Sequence, residues 1–193
     1  MTEHFLRTGN EMASKRSLGK IAWTLASVTS ATLLGLALAP AKAAPLPGGA
    51  GSLVETYQDW VVACQERDGQ SFCVMRQVQS NTQTGQNVVT VEFSAAQDKL
   101  NGALLLPFGL LLSEGATVTI DDAGKSRMLP FSTCLPQGCL APISFEADDI
   151  AKLKGGTALN LAARSFSPPQ PVELKISLKG FSAALSRVSE LTK

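Results

Sequence analysis

The sequence predicts a mainly β fold: a β-sandwich or small antiparallel barrel, with one short internal helix and a C-terminal helix. Three observations lead there. Short runs rich in Val, Ile, Thr and aromatic residues recur seven or more times after residue 57, separated by Gly, Asp, Asn and Pro. Only two segments space their apolar residues as a helix does. Four cysteines form two close pairs, each straddling a turn.

The chain opens with a segment foreign to that fold. Lys15, Arg16 and Lys20 precede an apolar run from Ile21 to Ala39, whose polar groups are only the hydroxyls of Thr24, Ser27, Thr29, Ser30 and Thr32. A basic flank, an apolar core and a small-residue boundary make a secretory signal peptide. Ala41 and Ala43 place cleavage between Ala43 and Ala44, so residues 1–43 read as a removable leader. An uncleaved membrane anchor is the alternative, because the run approaches the roughly 20 apolar residues a spanning helix needs. Met12 opens Met-Ala-Ser-Lys-Arg and gives the leader a cleaner start than Met1; a precursor peptide from residues 1–11 would overturn that start. The first cysteine is Cys64, so none stands at the cleavage site to take a lipid.

Residues 44–56 carry Pro45, Pro47, Gly48, Gly49 and Gly51 and read as a flexible lead-in. Residues 57–193 then form a single disulfide-bonded β domain. Asp59 to Cys64 and Phe72 to Val78 make two strands around an Arg67-Asp68-Gly69 turn. Thr84-Gly85-Gln86 leads into the β-branched run Asn87 to Phe93. Ala116 to Ile120 and Ser126 to Leu129 flank Asp121-Asp122-Ala123-Gly124, a hairpin signal. Leu140 to Phe145, Ala158 to Ala163 and Val172 to Leu178 supply further strands. Asp148 to Lys154 has acids first, lysines last and Gly155-Gly156 after, as a helix dipole and C-cap prefer. Phe181, Ala184, Leu185, Val188 and Leu191 mark the C-terminal helix.

Composition excludes several functions. The leader holds five of the seventeen Lys and Arg residues and two of the sixteen acids. The remainder therefore has twelve basic and fourteen acidic side chains, a formal charge of −2. These charges are scattered, whereas nucleic-acid binding demands clustered cations. The one histidine, His4, leaves with the leader. Histidine-dependent nucleophilic catalysis and histidine metal ligation go with it. No cofactor is expected. Aromatic residues are too few for the girdles of an outer-membrane barrel.

Cys64, Cys73, Cys134 and Cys139 allow three connectivities. Proximity around a turn favours Cys64–Cys73 and Cys134–Cys139, in an exported chain where disulfides persist. A four-cysteine zinc site fits less well, since the eight-residue gap between Cys64 and Cys73 exceeds a zinc knuckle. Leu104 to Leu112 is the most apolar stretch of the mature part. It reads as a buried strand–turn–strand broken by Pro107 and Gly109, with an exposed interaction surface of Leu104, Leu106, Phe108 and Leu110 as the alternative. Gly124-Lys125-Ser126 lacks the upstream glycine of a phosphate loop, because Thr119 stands there. Asp121, Asp122, Glu146, Asp148 and Asp149 read as turn and helix N-terminal charges rather than catalytic or calcium-binding acids. Pro168-Pro169-Gln170-Pro171 reads as a stiff connection, and Trp60 as a core residue beside the first disulfide.

The order of landmarks is similar to a known family. Trp60-Val61-Val62-Ala63-Cys64, Cys73-Val74-Met75, Leu106-Pro107-Phe108-Gly109 with Leu112 and Gly115, and Ile120-Asp121 come first. Phe131-Ser132-Thr133-Cys134, Gly138-Cys139-Leu140-Ala141 and Leu178-Lys179-Gly180-Phe181-Ser182-Ala183-Ala184-Leu185 follow. Over about residues 57–190 this resembles the invasion-associated locus B family of proteobacteria. The resemblance implies an exported β protein in the periplasm, at the outer membrane or in the medium, named for a part in invasion of host cells. It carries over the four cysteines and no active site. The expected function is therefore a non-enzymatic binding protein whose partner is a protein of the cell envelope or a host surface, with no membrane span after cleavage. The alternative is a periplasmic accessory or chaperone-like protein that binds outer-membrane clients.

Overall fold

The structure is a computed structural model that describes residues 46–122 and 124–192. The leader, its cleavage site and both candidate start residues lie outside the described residues. In chain order the elements are β1 (Ser52–Tyr57), β2 (Trp60–Arg67), β3 (Gln70–Ser80), β4 (Asn87–Ala96), β5 (Lys99–Leu106), β6 (Ala116–Ile120), β7 (Arg127–Leu129), β8 (Thr133–Leu135), β9 (Gly138–Phe145), α1 (Ala147–Gly155), β10 (Ala158–Arg164), β11 (Pro171–Ser177) and α2 (Phe181–Leu191).

The strands form two open sheets, and neither closes as a barrel. The larger runs β1-β2-β3-β4-β5-β9-β8 and the smaller β11-β10-β6-β7. Neighbouring strands in both sheets pair antiparallel. Tight turns set the meander. Tyr57 pairs with Trp60, Arg67 with Gln70, and Ala96 with Lys99, leaving two-residue loops. Asp68 and Gly69 both adopt left-handed backbone, at φ 53° and 74°, so the loop twists with its strands. The expected hairpin around residues 121–124 also forms, with Val118 opposite Arg127.

Side-chain alternation decides what each strand buries. Trp60, Val62 and Cys64 of β2 face Met75 of β3 and Val91 and Phe93 of β4 across one inner layer, and all are buried. Trp60 stacks on Phe93 at 5.9 Å and meets Phe181 of α2 edge-on at 5.3 Å. Phe93 meets Phe145 of β9 at 5.8 Å. Burying each such side chain contributes about 1.5–3 kcal/mol. The five apolar residues that marked the C-terminal helix all lie buried, and α2 packs on β1 to β4. Gly180 enters this helix at φ 83°, where a Cβ would collide with the Tyr57 carbonyl oxygen.

One boundary needs correction. Residues 52–56 of the segment expected to be a flexible lead-in belong to β1, which pairs with β2 along its whole length. Leu46, further upstream, is 1% exposed in the core. Glycines and prolines before Ser52 obscure the alternation of Leu53, Glu55 and Tyr57 with exposed Ser52, Val54 and Thr56. Glu55 then fastens the strand to α2: Arg187 donates Nε and an Nη to its two oxygens at 2.7 and 2.8 Å. That fork, opposed by partial burial and reinforced by the Tyr57 hydroxyl, holds the Glu55 carboxyl below its ordinary range.

Candidate functional site

Both disulfides arise from strand register. Pairing of β2 with β3 sets Cys64 opposite Cys73, and pairing of β8 with β9 sets Cys134 opposite Cys139. Each pair is bonded, and no described cysteine is free. Cys64 and Cys73 are buried in the inner layer, at 2% and 4% exposure. Cys134 is exposed on a surface hairpin.

That hairpin lies against the end of β5, where Leu106 pairs with Cys139. Here the apolar stretch divides. Leu104 and Leu106 point from β5 into the core, and Leu110 is buried where it bridges to Ser165. The exposed-surface alternative is thus corrected for Leu104, Leu106 and Leu110. The cause is strand alternation, which sends the even residues of β5 inward, followed by a turn at Pro107 and Gly109 that brings Leu110 back in. Phe108, at the tip of that turn, is 60% exposed.

Phe108 has company that the sequence did not reveal. The Phe166 amide donates to the Gly109 carbonyl at 2.7 Å, and the Leu111 amide to the Arg164 carbonyl at 2.7 Å. These bonds bring the loop after β10 to the same end of the molecule, with Phe166 66% exposed. Leu112 and Leu135 are exposed as well, on the two neighbouring segments. Ser165 shapes the loop, its hydroxyl accepting the Gln170 amide at 3.0 Å and donating to the Pro168 carbonyl, beside a cis Ser167–Pro168 bond. Phe166 stands just before the prolines that read only as a stiff connection; an aromatic beside such a turn was the available signal. The result is an apolar end built from three loops on a rigid sheet frame. Loops on such a frame are where binding surfaces commonly sit.

Four of the five acidic candidates hold structural partners, and Asp148 lies exposed in the first turn of α1. Asp121 Oδ1 accepts the Thr157 hydroxyl at 2.7 Å and the amides of Thr157 and Ala158 at 2.9 and 3.0 Å. The Thr157 bonds lead in holding its carboxyl below the usual range, with Ala158 adding to them. Asp122 accepts from Asn160 at 3.2 Å. Glu146 pairs with Lys99 at 2.8 Å, and Asp149 with Lys152 at 3.0 Å. Among the described residues no three His, Cys, Asp or Glu side chains converge as a metal site would require.

Two of the surface recesses border these acids. A shallow polar groove of about 590 Å³ crosses the outer face of the smaller sheet, floored by Thr117, Thr119, Asn160 and Ala162 and edged by Glu173 and Lys175. A second, of about 560 Å³, lies between the β6–β7 hairpin and α1. There the Arg127 guanidinium sits 4.6 Å over the Phe145 ring, and its buried Nε has no hydrogen-bond partner. No helix among the described residues is long and apolar enough to cross a membrane.

Comparison with known proteins fits this architecture. The family model described as invasion associated locus B (IalB) protein matches residues 60–189. An Invasion protein B homolog of Brucella abortus (strain 2308) is 55% identical over 163 residues, covering 84% of this chain and 94% of that protein. Invasion protein B of Bartonella bacilliformis is 36% identical over 155 residues, covering 78% and 82%. The crystal structure of invasion associated protein B from Bartonella henselae aligns with a TM-score of 0.68 at 33% identity, over 72% of this chain and 96% of that one. The chain belongs to the invasion associated locus B family.

Proposed function

We propose that this chain is exported and works as a non-enzymatic binding protein of the cell envelope or the medium, where it supports interaction with host cells. The observation that carries the reading is the disulfide-braced apolar end, where Phe108 and Phe166 stand exposed on adjacent loops. Disulfides persist in oxidising compartments, which supports export. An exposed aromatic pair on a rigid frame supports a protein partner, because aromatic side chains supply large contact area at low entropic cost. The relatives named Invasion protein B support a role in invasion.

The same end also suits a periplasmic accessory protein that holds apolar segments of outer-membrane clients. Protease treatment of intact cells, beside fractionation of cytoplasm, periplasm, outer membrane and medium, separates the two. Digestion on intact cells, or release into the medium, supports contact with a host. Protection until the outer membrane is opened supports the accessory role. A full-length cytoplasmic pool would overturn both.

A further inference from the structure

Two open sheets leave four margins, and each unpaired margin is a template for another strand. Three of the four carry devices that block such pairing. On β11 the outward-facing backbone is occupied at its C-terminal end: Gln77 bonds both the amide and the carbonyl of Ser177, and Gln79 donates to the Lys175 carbonyl. The odd residues of β11 face this way, so Pro171 removes the amide at the far end of the same margin. β7 is only three residues long. β8 is equally short and ends in the disulfide hairpin. Beyond β8, β9 itself is the margin. The Ser132 amide donates to the Leu140 carbonyl, so Leu140 faces outward, and two residues on Pro142 has no amide to offer.

β1 has none of these devices. It runs six residues without a bulge and without Lys or Pro. The Glu66 amide bonds the Gly51 carbonyl, which fixes the alternation: odd residues face β2, while Ser52, Val54 and Thr56 present their backbone groups to the open side. Among the described residues no strand pairs there. Val54 is 70% exposed. The Glu55–Arg187 fork ties the strand to α2.

We infer that β1 pairs antiparallel with β1 of a second copy about a two-fold axis through Val54, joining two seven-stranded sheets into one. The strand's own symmetry selects this occupant. Centring on Val54 uses all three outward-facing residues of each copy and forms about six backbone hydrogen bonds; any other two-fold register leaves at least one of the three without a partner in the strand. Val54 then lies beside its equivalent, and Thr56 beside Ser52, so like sizes and polarities meet. On the inner face Leu53 lies beside Glu55, whose charge is already neutralised by Arg187, so no carboxylate opposes another. The interface is isologous and closes at two copies.

The test is sedimentation velocity on the exported product of the full-length gene, with two variants chosen to spare the fold. Val54→Pro removes an amide that points away from β2, and Val54→Lys places a charge on the margin. The wild type should sediment as a dimer that dissociates on dilution. Both variants should raise its dissociation constant at least about tenfold with unchanged melting temperature. Cysteine cross-linking checks the register. Val54→Cys should give a covalent dimer with the native disulfides intact by mass spectrometry. Thr56→Cys should not, since its equivalents sit about 14 Å apart. A wild type that stays monomeric at high concentration would overturn the proposal, as would a dimer indifferent to both variants or a monomer that instead captures an extended peptide along β1.

Discussion

Removing the disulfides one at a time gives a ranked stability series. The Cys64–Cys73 bond closes a nine-residue separation and Cys134–Cys139 one of five. Loop-closure entropy lost from the unfolded chain then amounts to about 2.6 kcal/mol for the first and about 2.1 kcal/mol for the second. A domain of this length unfolds with an entropy of about 0.3 kcal/mol/K, so Cys→Ala pairs should lower the melting temperature by about 8 °C and about 7 °C. Losing both should cost about 15 °C, because the pairs lie in different hairpins of the sheet, β2–β3 and β8–β9, and share no loop. The first pair should exceed its entropic value, since Cys64 and Cys73 fill core volume that alanine would leave empty. Order of reduction is a second readout. Under mild reductant without denaturant, exposed Cys134 should be alkylated well before Cys64 or Cys73. Calorimetry and peptide mapping check both. A reduced protein that melts within a degree or two of the oxidised one would refute the reasoning, and so would simultaneous opening of the two bonds.

Gln77→Leu strands the Ser177 amide away from water and should destabilise the domain by about 1–3 kcal/mol, read by urea denaturation. Acid should weaken the fold through Glu55 and Asp121, whose carboxyls are held below their ordinary 4.5 and 3.8. A depressed folded value means the contribution is present above the unfolded value and lost as pH falls through the folded one. Melting temperature should therefore drop progressively below pH 4.5, and Glu55→Gln with Asp121→Asn should flatten that slope. Phe108→Ser and Phe166→Ser should leave stability within about 0.5 kcal/mol while reducing binding of an apolar dye to the folded protein, measured by fluorescence. Unchanged dye binding would locate the apolar surface elsewhere.

Local signals carried much of this fold. Turn chemistry at Asp68-Gly69 announced the β2–β3 hairpin, and that hairpin then dictated the Cys64–Cys73 bond through register alone. The helical spacing from Phe181 to Leu191 mapped onto the buried face of α2 because an amphipathic period needs no tertiary information. What the sequence hid was of another kind. β1 is short and follows glycines and prolines, and its stability comes from β2 and the Arg187 fork rather than from its own pattern. β8 is three residues long and too brief to alternate visibly. Phe166 comes to the same end of the molecule as Phe108 only because a bridge at Leu110 and Ser165 joins segments far apart in the chain. Proximity of that sort has no local signature.

Gln77 shows why the sheets' margins belong in the same argument as their core. Its position continues the inward row Cys73, Met75, and an apolar residue there would satisfy the packing. An amide at 5% exposure is tolerated only when both ends find partners, and here they do. Its Nε2 and the Trp60 indole nitrogen both donate to the Ser177 carbonyl at 2.9 Å, while its Oε1 accepts the Ser177 amide and the Gln79 side chain. One side chain thus acts as a piece of strand. It docks the edge of the smaller sheet onto the larger in a single register, and it removes that edge from competition for other chains. A purely apolar contact would dock the sheets without fixing the register or covering the edge. With β11 closed by amides, β9 by a proline and the two short strands by their length, an open β1 is the departure from the pattern, and a partner strand is what such a margin accommodates.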